Sequence, residues 1–274
     1  MNDSPITNTG KRGWRYASDK RSYAALCRLT FQARLEGHIP DSWITDETRP
    51  VILWNTWNNP RQFVRQGLND LFRGYWRNLL QSQPNHIEWL VEKNTVAALL
   101  ESVAARYTVP MTSGRGYASY PPMASMAQRF RNSGKDKLVL LLVSDFDADG
   151  ESIAESFARN MRDDFGCPVF ARKVALTREQ VLKYDLPEGL PVKEKSTKKK
   201  AFQAKYGKRQ KCYELEALPP DVLKKIVADE MDAVLDRDAF NHELEEEQAD
   251  ADFLHTVRQR AILALKETVD ERIN

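Results

Sequence analysis

The amino-acid sequence predicts an α/β protein whose sheet is parallel and covered by helices on both faces. Three observations lead there. After Pro84, short apolar runs alternate with stretches of helical periodicity. Those runs are continuously apolar instead of alternating with polar residues. The most apolar of them, residues 137–143, leads straight into an acidic, glycine-containing turn. Strands buried on both faces read as unbroken hydrophobic runs, and parallel pairing needs a crossover between them, usually helical.

The first dozen residues are polar and expected to be poorly ordered. Over residues 18–37, Tyr23, Leu26, Leu29, Ala33 and Leu35 recur at roughly helical spacing, with Ser18 or Asp19 as cap and Gly37 as stop. Asn59-Pro60 opens a second helix with Pro at the first helical position. Phe63, Val64, Leu68, Leu71, Phe72, Trp76, Leu79 and Leu80 extend its apolar face. Strands are expected at 87–91, 109–112, 137–143 and 168–176, with helices at 95–106, 121–131 and 151–165 between them. A basic loop follows, then helices at about 219–235 and 250–269. Trp43, Trp54, Trp57, Trp76 and Trp89 are expected in the core.

Lys plus Arg (41) and Asp plus Glu (39) nearly cancel, so a net charge of +2 selects no partner; the distribution is more informative. Residues 193–211 are strongly basic and residues 229–252 mostly acidic. Cys27, Cys167 and Cys212 are odd in number and without CxxC spacing, which argues against a disulfide framework or a zinc site and suits a reducing compartment. His38, His86, His242 and His255 show no metal-ligand spacing. With no leader-like apolar region and no run of membrane-spanning length, the expectation is a soluble, cytoplasmic protein, with nucleoid association compatible and no membrane partner.

The sharpest local feature is SDFDADGES, Ser144 to Ser152, directly after the most apolar strand. Ligands of open parallel sheets bind at the carboxyl ends of strands, where Asp145 and Asp147 fall. Asp149 adds a third acid, and Gly150 allows a sharp turn into the next helix. Carboxylates this close repel unless a cation neutralises them, and an all-oxygen set points to Mg²⁺ or Mn²⁺. An EF-hand is disfavoured, since its twelfth position is Ser156 and a strand flanks it. A D-x-D phosphatase and a plain solvated acidic loop remain as alternatives. Glu92-Lys93 ends the first strand; Glu92 could join the same ion or simply favour a helix N-terminus. Ser113-Gly114-Arg115-Gly116-Tyr117 follows the second strand, where the glycines permit close approach and Arg115 could meet a phosphate.

In this order the three strand-end motifs resemble the Toprim domain of the topoisomerase VI A-subunit family, which includes the meiotic double-strand-break transesterase. They stand here as Val91-Glu92-Lys93, Gly114-Arg115-Gly116-Tyr117 and Asp145-Phe146-Asp147-Ala148-Asp149-Gly150. The resemblance is closest to short, stand-alone A-subunit-like proteins of bacteria, phages and plasmids. It extends to their A-R-x-x-G-x-I-P segment (Ala33 to Pro40) and their W/Y-E-L-x-A-L segment (Tyr213 to Leu218).

The resemblance implies a Toprim fold, Rossmann-like, at 84–190, an N-terminal winged-helix-like remnant at 1–83, and a basic loop with a helical C-terminal extension at 191–274. It makes Glu92, Asp145 and Asp147 the metal and acid/base residues, with Asp149 an extra acid. Lys93 then acts beside Glu92 and Asp145. Read from the residues, Arg115, Lys198, Lys199, Lys200, Lys208 and Arg209 suit contacts with DNA phosphates, with Phe202, Tyr206 and Tyr213 interspersed for stacking on bases; without the metal motif the same Lys-rich run reads as a solvated loop. The expected function is Mg²⁺- or Mn²⁺-dependent strand cleavage, topoisomerase-like or hydrolytic. The alternative is a DNA-binding protein of plasmid or phage maintenance that has lost cleavage. The family's nucleophilic tyrosine lies in an R-x-x-Y-Y-like helix ahead of the A-R-x-x-G segment; Tyr16 and Tyr23 lie outside that pattern and are expected to be packing residues, so the transesterase step is not expected. Cleaving both strands would favour a homodimer. The sequence leaves an ATPase partner open.

Overall fold

A computed structural model describes residues 20–40, 43, 54–113, 120–187, 189–194 and 196–273, without the side chains of residue 154 and of those beyond 265. The chain divides into two compact units, Met1–Gly67 and Leu68–Asn274. In the first, helix α1 (Lys20–Leu35) forms as the periodicity predicts, and Gly37 follows it with φ 75°. Helix α2 (Pro60–Asp70) is capped by Asn59, whose Oδ1 accepts from the Gln62 N–H at 2.9 Å. It ends ten residues earlier than its apolar pattern suggests, because Phe72 and Gly74 adopt left-handed backbone (φ 55° and 81°).

The tryptophan expectation fails for most of the set. Trp89 is fully buried, but Trp54 is 84 %, Trp43 75 % and Trp76 65 % exposed. Trp57 packs edge-on to Phe63 and donates to Gln66 Oε1. Tyr23 is an exposed residue of α1 rather than a packing one, and Tyr16 lies outside the described residues.

The second unit is built on a four-stranded parallel sheet, β1 (His86–Val91), β2 (Met111–Ser113), β3 (Leu138–Val143) and β4 (Val169–Ala175), in the order β2-β1-β3-β4. Every residue of β3 is buried. Its two sets of side chains, two residues apart, enter different cores. Val139, Leu141 and Val143 join Trp89 of β1, helix α3 (Asn94–Tyr107) and helix α8 (Pro220–Val234). Leu138, Leu140 and Leu142 meet Met126 and Phe130 of α4 (Tyr120–Ser133) and Phe157 and Met161 of α5 (Ala148–Asp163). Each buried aliphatic side chain contributes about 1.5–3 kcal/mol, so the centre of the sheet anchors both cores.

Two short helices go unmarked in the sequence reading. Helix α6 (Arg178–Lys183) has a capping box between Thr177 and Gln180, and helix α7 (Lys199–Tyr206) lies within the basic run. The last helix, α9 (Arg237–Ile273), begins well before residue 250. Asp236 caps it, accepting from the Asp238 and Ala239 N–H groups, and most of the acidic stretch 229–252 forms its N-terminal portion. Negative side chains favour a helix N-terminus. Glu243 is buried there, bonded to Arg77 and Gln81 (2.7 and 2.6 Å) and to Ser82. All three cysteines are free, and among the described residues no helix is long and apolar enough to cross a membrane.

Candidate functional site

The strand order reverses direction between β1 and β3. From β1 the chain crosses outward to β2; from β3 it crosses the other way to β4. In open parallel sheets the crevice at such a switch, beyond the carboxyl ends of the strands, is where ligands bind. Glu92 and Lys93 follow β1, and Asp145 follows β3, so both motifs flank this switch. The two strands run in register from His86↔Leu138 to Val91↔Val143, and the Glu92 N–H continues the ladder to the Val143 carbonyl at 2.9 Å. The pairing thus fixes the relative height of the two acids.

The Glu92 side chain reaches the backbone of Asp145. Glu92 Oε2 accepts from the Asp145 N–H at 2.9 Å. Asp145, 7 % exposed, has both carboxylate oxygens engaged: Oδ1 accepts from the Leu215 N–H (2.9 Å) and Oδ2 pairs with Lys93 Nζ (3.0 Å). Lys93 is the N-cap residue of α3 in extended backbone, and its side chain makes no capping bond. Its ammonium also contacts Glu216 at 2.7 Å and Glu214 at 4.0 Å. Burial acts against that charge, but the bonds to Glu216 and Asp145 outweigh it and raise the Lys93 pKa. Asp147 caps α5, its Oδ1 accepting from Asp149 N–H (3.1 Å) and Gly150 N–H (2.7 Å). Burial pushes the Glu92 carboxyl up, and the Asp145 and Asp147 charges add to it, against the Asp145 N–H and Lys93. Three acids therefore lie within electrostatic reach, with Glu92 incompletely compensated.

Beneath the loop lies a second charged group that the sequence reading does not identify. Lys173 of β4, 12 % exposed, donates to the Asp145 carbonyl (2.7 Å) and pairs with Glu151 (2.9 Å). Glu151 also holds Lys205 at 3.0 Å and the Tyr206 hydroxyl. Burial lowers the Lys173 pKa despite Glu151. For Glu151, burial is outweighed by Lys173, Tyr206 and Lys205, and its carboxyl falls below the usual range. Nothing in a linear reading marks these residues, since the partners lie 22 to 55 positions apart.

The Tyr213–Leu218 segment reaches the same place. Phe146 and Tyr213 exchange backbone hydrogen bonds at 2.9 Å in an isolated antiparallel bridge, which delivers Leu215 and its flanking glutamates to Asp145 and Lys93. A pocket of about 80 Å³ opens beside the loop, lined among others by Asp145, Asp147, Asp149, Cys212 and Glu214. Asp149 is exposed in the first turn of α5, with Ser196 Oγ 3.4 Å from its Oδ1. In the basic segment Lys198, Lys200, Lys208 and Arg209 are exposed, while Lys199 pairs with Glu194 at 2.9 Å. The stacking role expected of its aromatics is corrected for Phe202, which is buried against Phe146 (5.4 Å); Tyr206 also packs there (5.0 Å). Both anchor the basic segment to the acidic loop. Arg115 and the rest of the glycine loop lie outside the described residues.

Among the described residues no three Asp, Glu, His or Cys side chains converge closely enough to hold an ion. Asp145 is neutralised by Lys93 instead. Glu92 Oε1 and Asp147 Oδ2 make no hydrogen bond among the described residues. Mg²⁺ is commonly held by one or two carboxylates together with water and substrate phosphate, so this all-oxygen set fits that ion and does not suit zinc. Searched against protein-family models, curated proteins and solved structures, the chain gives no match.

Proposed function

We propose that the protein is a Toprim-type, Mg²⁺- or Mn²⁺-dependent enzyme acting on DNA, either a topoisomerase-VI-A-like strand breaker or a hydrolytic nuclease. The observation that carries this reading is the hydrogen bond from the Asp145 N–H to the Glu92 carboxylate across the β1/β3 switch, with the Asp147 charge close enough to push the Glu92 carboxyl up. Glu92 and Asp147 would hold the ion, with Asp145 joining them and Asp149 at the rim. A bound divalent cation supplies charge stabilisation at a scissile phosphate. Where Glu92 does not hold the ion, its carboxyl, raised by burial and neighbouring acids, would serve instead as general acid/base. Lys93 adds a cation 3.0 Å from Asp145. The exposed Lys198, Lys200, Lys208 and Arg209 suit contacts with the phosphate backbone, with Lys199 beside them and Arg115 in the glycine loop. The helical first unit would correspond to the winged-helix-like part, and double-strand cleavage would call for a homodimer.

A second reading, a DNA-binding protein without cleavage in plasmid or phage maintenance, is favoured by one feature: Asp145 already has its counter-ion in Lys93. Asp145→Asn separates the two. DNA affinity and turnover are measured on the same preparation. An enzyme loses turnover and keeps binding, whereas a binder shows no turnover in the wild type and binds as well or better after the change.

A further inference from the structure

The proposed chemistry uses the Lys93–Asp145 pair but not the contacts of Lys93 with Glu216 and Glu214. The stretch Glu214-Leu215-Glu216 touches both halves of the Lys93–Asp145 pair: the buried Leu215 donates its N–H to Asp145 Oδ1, and the two exposed glutamates on either side face Lys93 Nζ. The ammonium at 3.0 Å competes with a divalent ion for Asp145 Oδ2, since two cations that close repel. Without either cation, the Asp145 carboxylate would stand buried with no counter-charge, an arrangement electrostatics disfavours. The ammonium thus has a use while no ion is bound, and it competes with the ion when one binds. It need not then be stranded, since Glu216 already holds it at 2.7 Å and Glu214 lies at 4.0 Å.

We infer that Lys93 is a built-in placeholder for the divalent cation, and that Glu216, with Glu214 beside it, is the positioning residue that keeps the Lys93 ammonium when the ion takes Asp145. The inference rests on the metal-dependent reading above and deepens it. The Tyr213–Leu218 segment then acts in two ways, steadying Asp145 through its backbone and offering Lys93 an alternative partner through its side chains.

The test is Mn²⁺ binding to the full chain, followed by electron paramagnetic resonance of the free ion, with no DNA and no turnover involved. Wild type, Lys93→Met, Glu216→Gln, the double variant and Asp145→Asn are compared. Lys93→Met should bind about tenfold tighter, the equivalent of one charge-assisted hydrogen bond no longer displaced from Asp145. Glu216→Gln should bind about threefold weaker, because the ammonium falls back on Asp145. The double variant should bind like Lys93→Met, since Glu216 then has no ammonium to act through. Additive effects in this cycle would show Glu216 acting on the ion as a bare charge and would overturn the inference. Should Lys93→Met fail to fold by circular dichroism, Lys93→Gln replaces it in the same cycle. Binding that is absent in the wild type, or unchanged in Asp145→Asn, defeats the metal reading and the inference together. Binding that needs Asp145 but shows additivity defeats the inference alone.

Discussion

Gly150→Ala puts the geometry of the acidic loop under direct test. Gly150 sits in the first turn of α5, where alanine has the higher helix propensity by up to about 1 kcal/mol. Propensity alone predicts stabilisation. A Cβ at this position, however, would stand 2.2 Å from the Asp145 carbonyl oxygen, 3.1 Å from its carbon and 3.3 Å from Asp147 Oδ1. Carbon–oxygen contacts close no nearer than about 3.3 Å, so the carbonyl must retreat by about 1 Å. That carbonyl also accepts from Lys173 Nζ at 2.7 Å, and the preceding bonds of the loop run through Asp147 Oδ1. Overpacking costs about 1–3 kcal/mol, and weakening an ammonium hydrogen bond adds about 1.5 kcal/mol, against a gain of at most about 1. The net expectation is a loss of about 2 kcal/mol, which is roughly 4–8 °C in Tm for a body of this size. Thermal and urea unfolding followed by circular dichroism measure it. Gly67→Ala is the control: it lies in α2 with nothing within 4 Å of the new Cβ, and should leave stability unchanged or raise it. If Gly150→Ala melts at or above the wild-type temperature, the loop is not held as described.

Two further outcomes follow from charge. A carboxyl whose pKa is raised in the folded state costs stability as pH climbs above its unfolded value of 4.5, so Glu92→Gln should melt higher than wild type in metal-free buffer at neutral pH, and the gain should vanish below pH 4.5. Burial alone would raise Glu243, but the bonds from Ser82, Arg77 and Gln81 prevail and hold it at about 2, below its ordinary 4.5. A depressed carboxyl contributes stability that is complete above the unfolded value and lost as pH falls towards the folded one. Wild type should accordingly weaken between pH 4.5 and about 2, while Glu243→Gln should start on the order of 2 kcal/mol lower and change less across that window. Equal pH slopes in urea unfolding would contradict this.

The sheet was legible because parallel strands buried on both faces leave a one-dimensional trace: Ile87 to Val91 and Leu138 to Val143 are apolar at every position but Glu88. Glu88 itself is fully buried and pairs with Arg129 and His86, a compensation visible only in three dimensions. Asp145 and Asp147 were legible because an acidic turn after such a strand has one place to be. Gly150 was marked as a turn residue; its φ is not positive, and what demands glycine there is the close approach of the Asp145 carbonyl. Lys173, Glu214 and Glu216 were hidden because their partners are distant in sequence, 28 residues for Lys173 with Asp145 and 123 for Lys93 with Glu216. The tryptophans misled because size and hydrophobicity alone do not say which side of a helix or turn faces the core.

Metal-dependent cleavage by the Glu92–Asp145 pair is tested most simply in a supercoiled-plasmid assay with Mg²⁺ or Mn²⁺, comparing wild type, Glu92→Gln and Asp145→Asn, each resolved with and without protease treatment. Nicked or linear DNA is expected from the wild type alone and only with the metal; product running free of protein marks the hydrolytic route, and product released only by protease marks the topoisomerase-like one. No product under either metal, or equal product from the Glu92→Gln and Asp145→Asn variants, would contradict that chemistry.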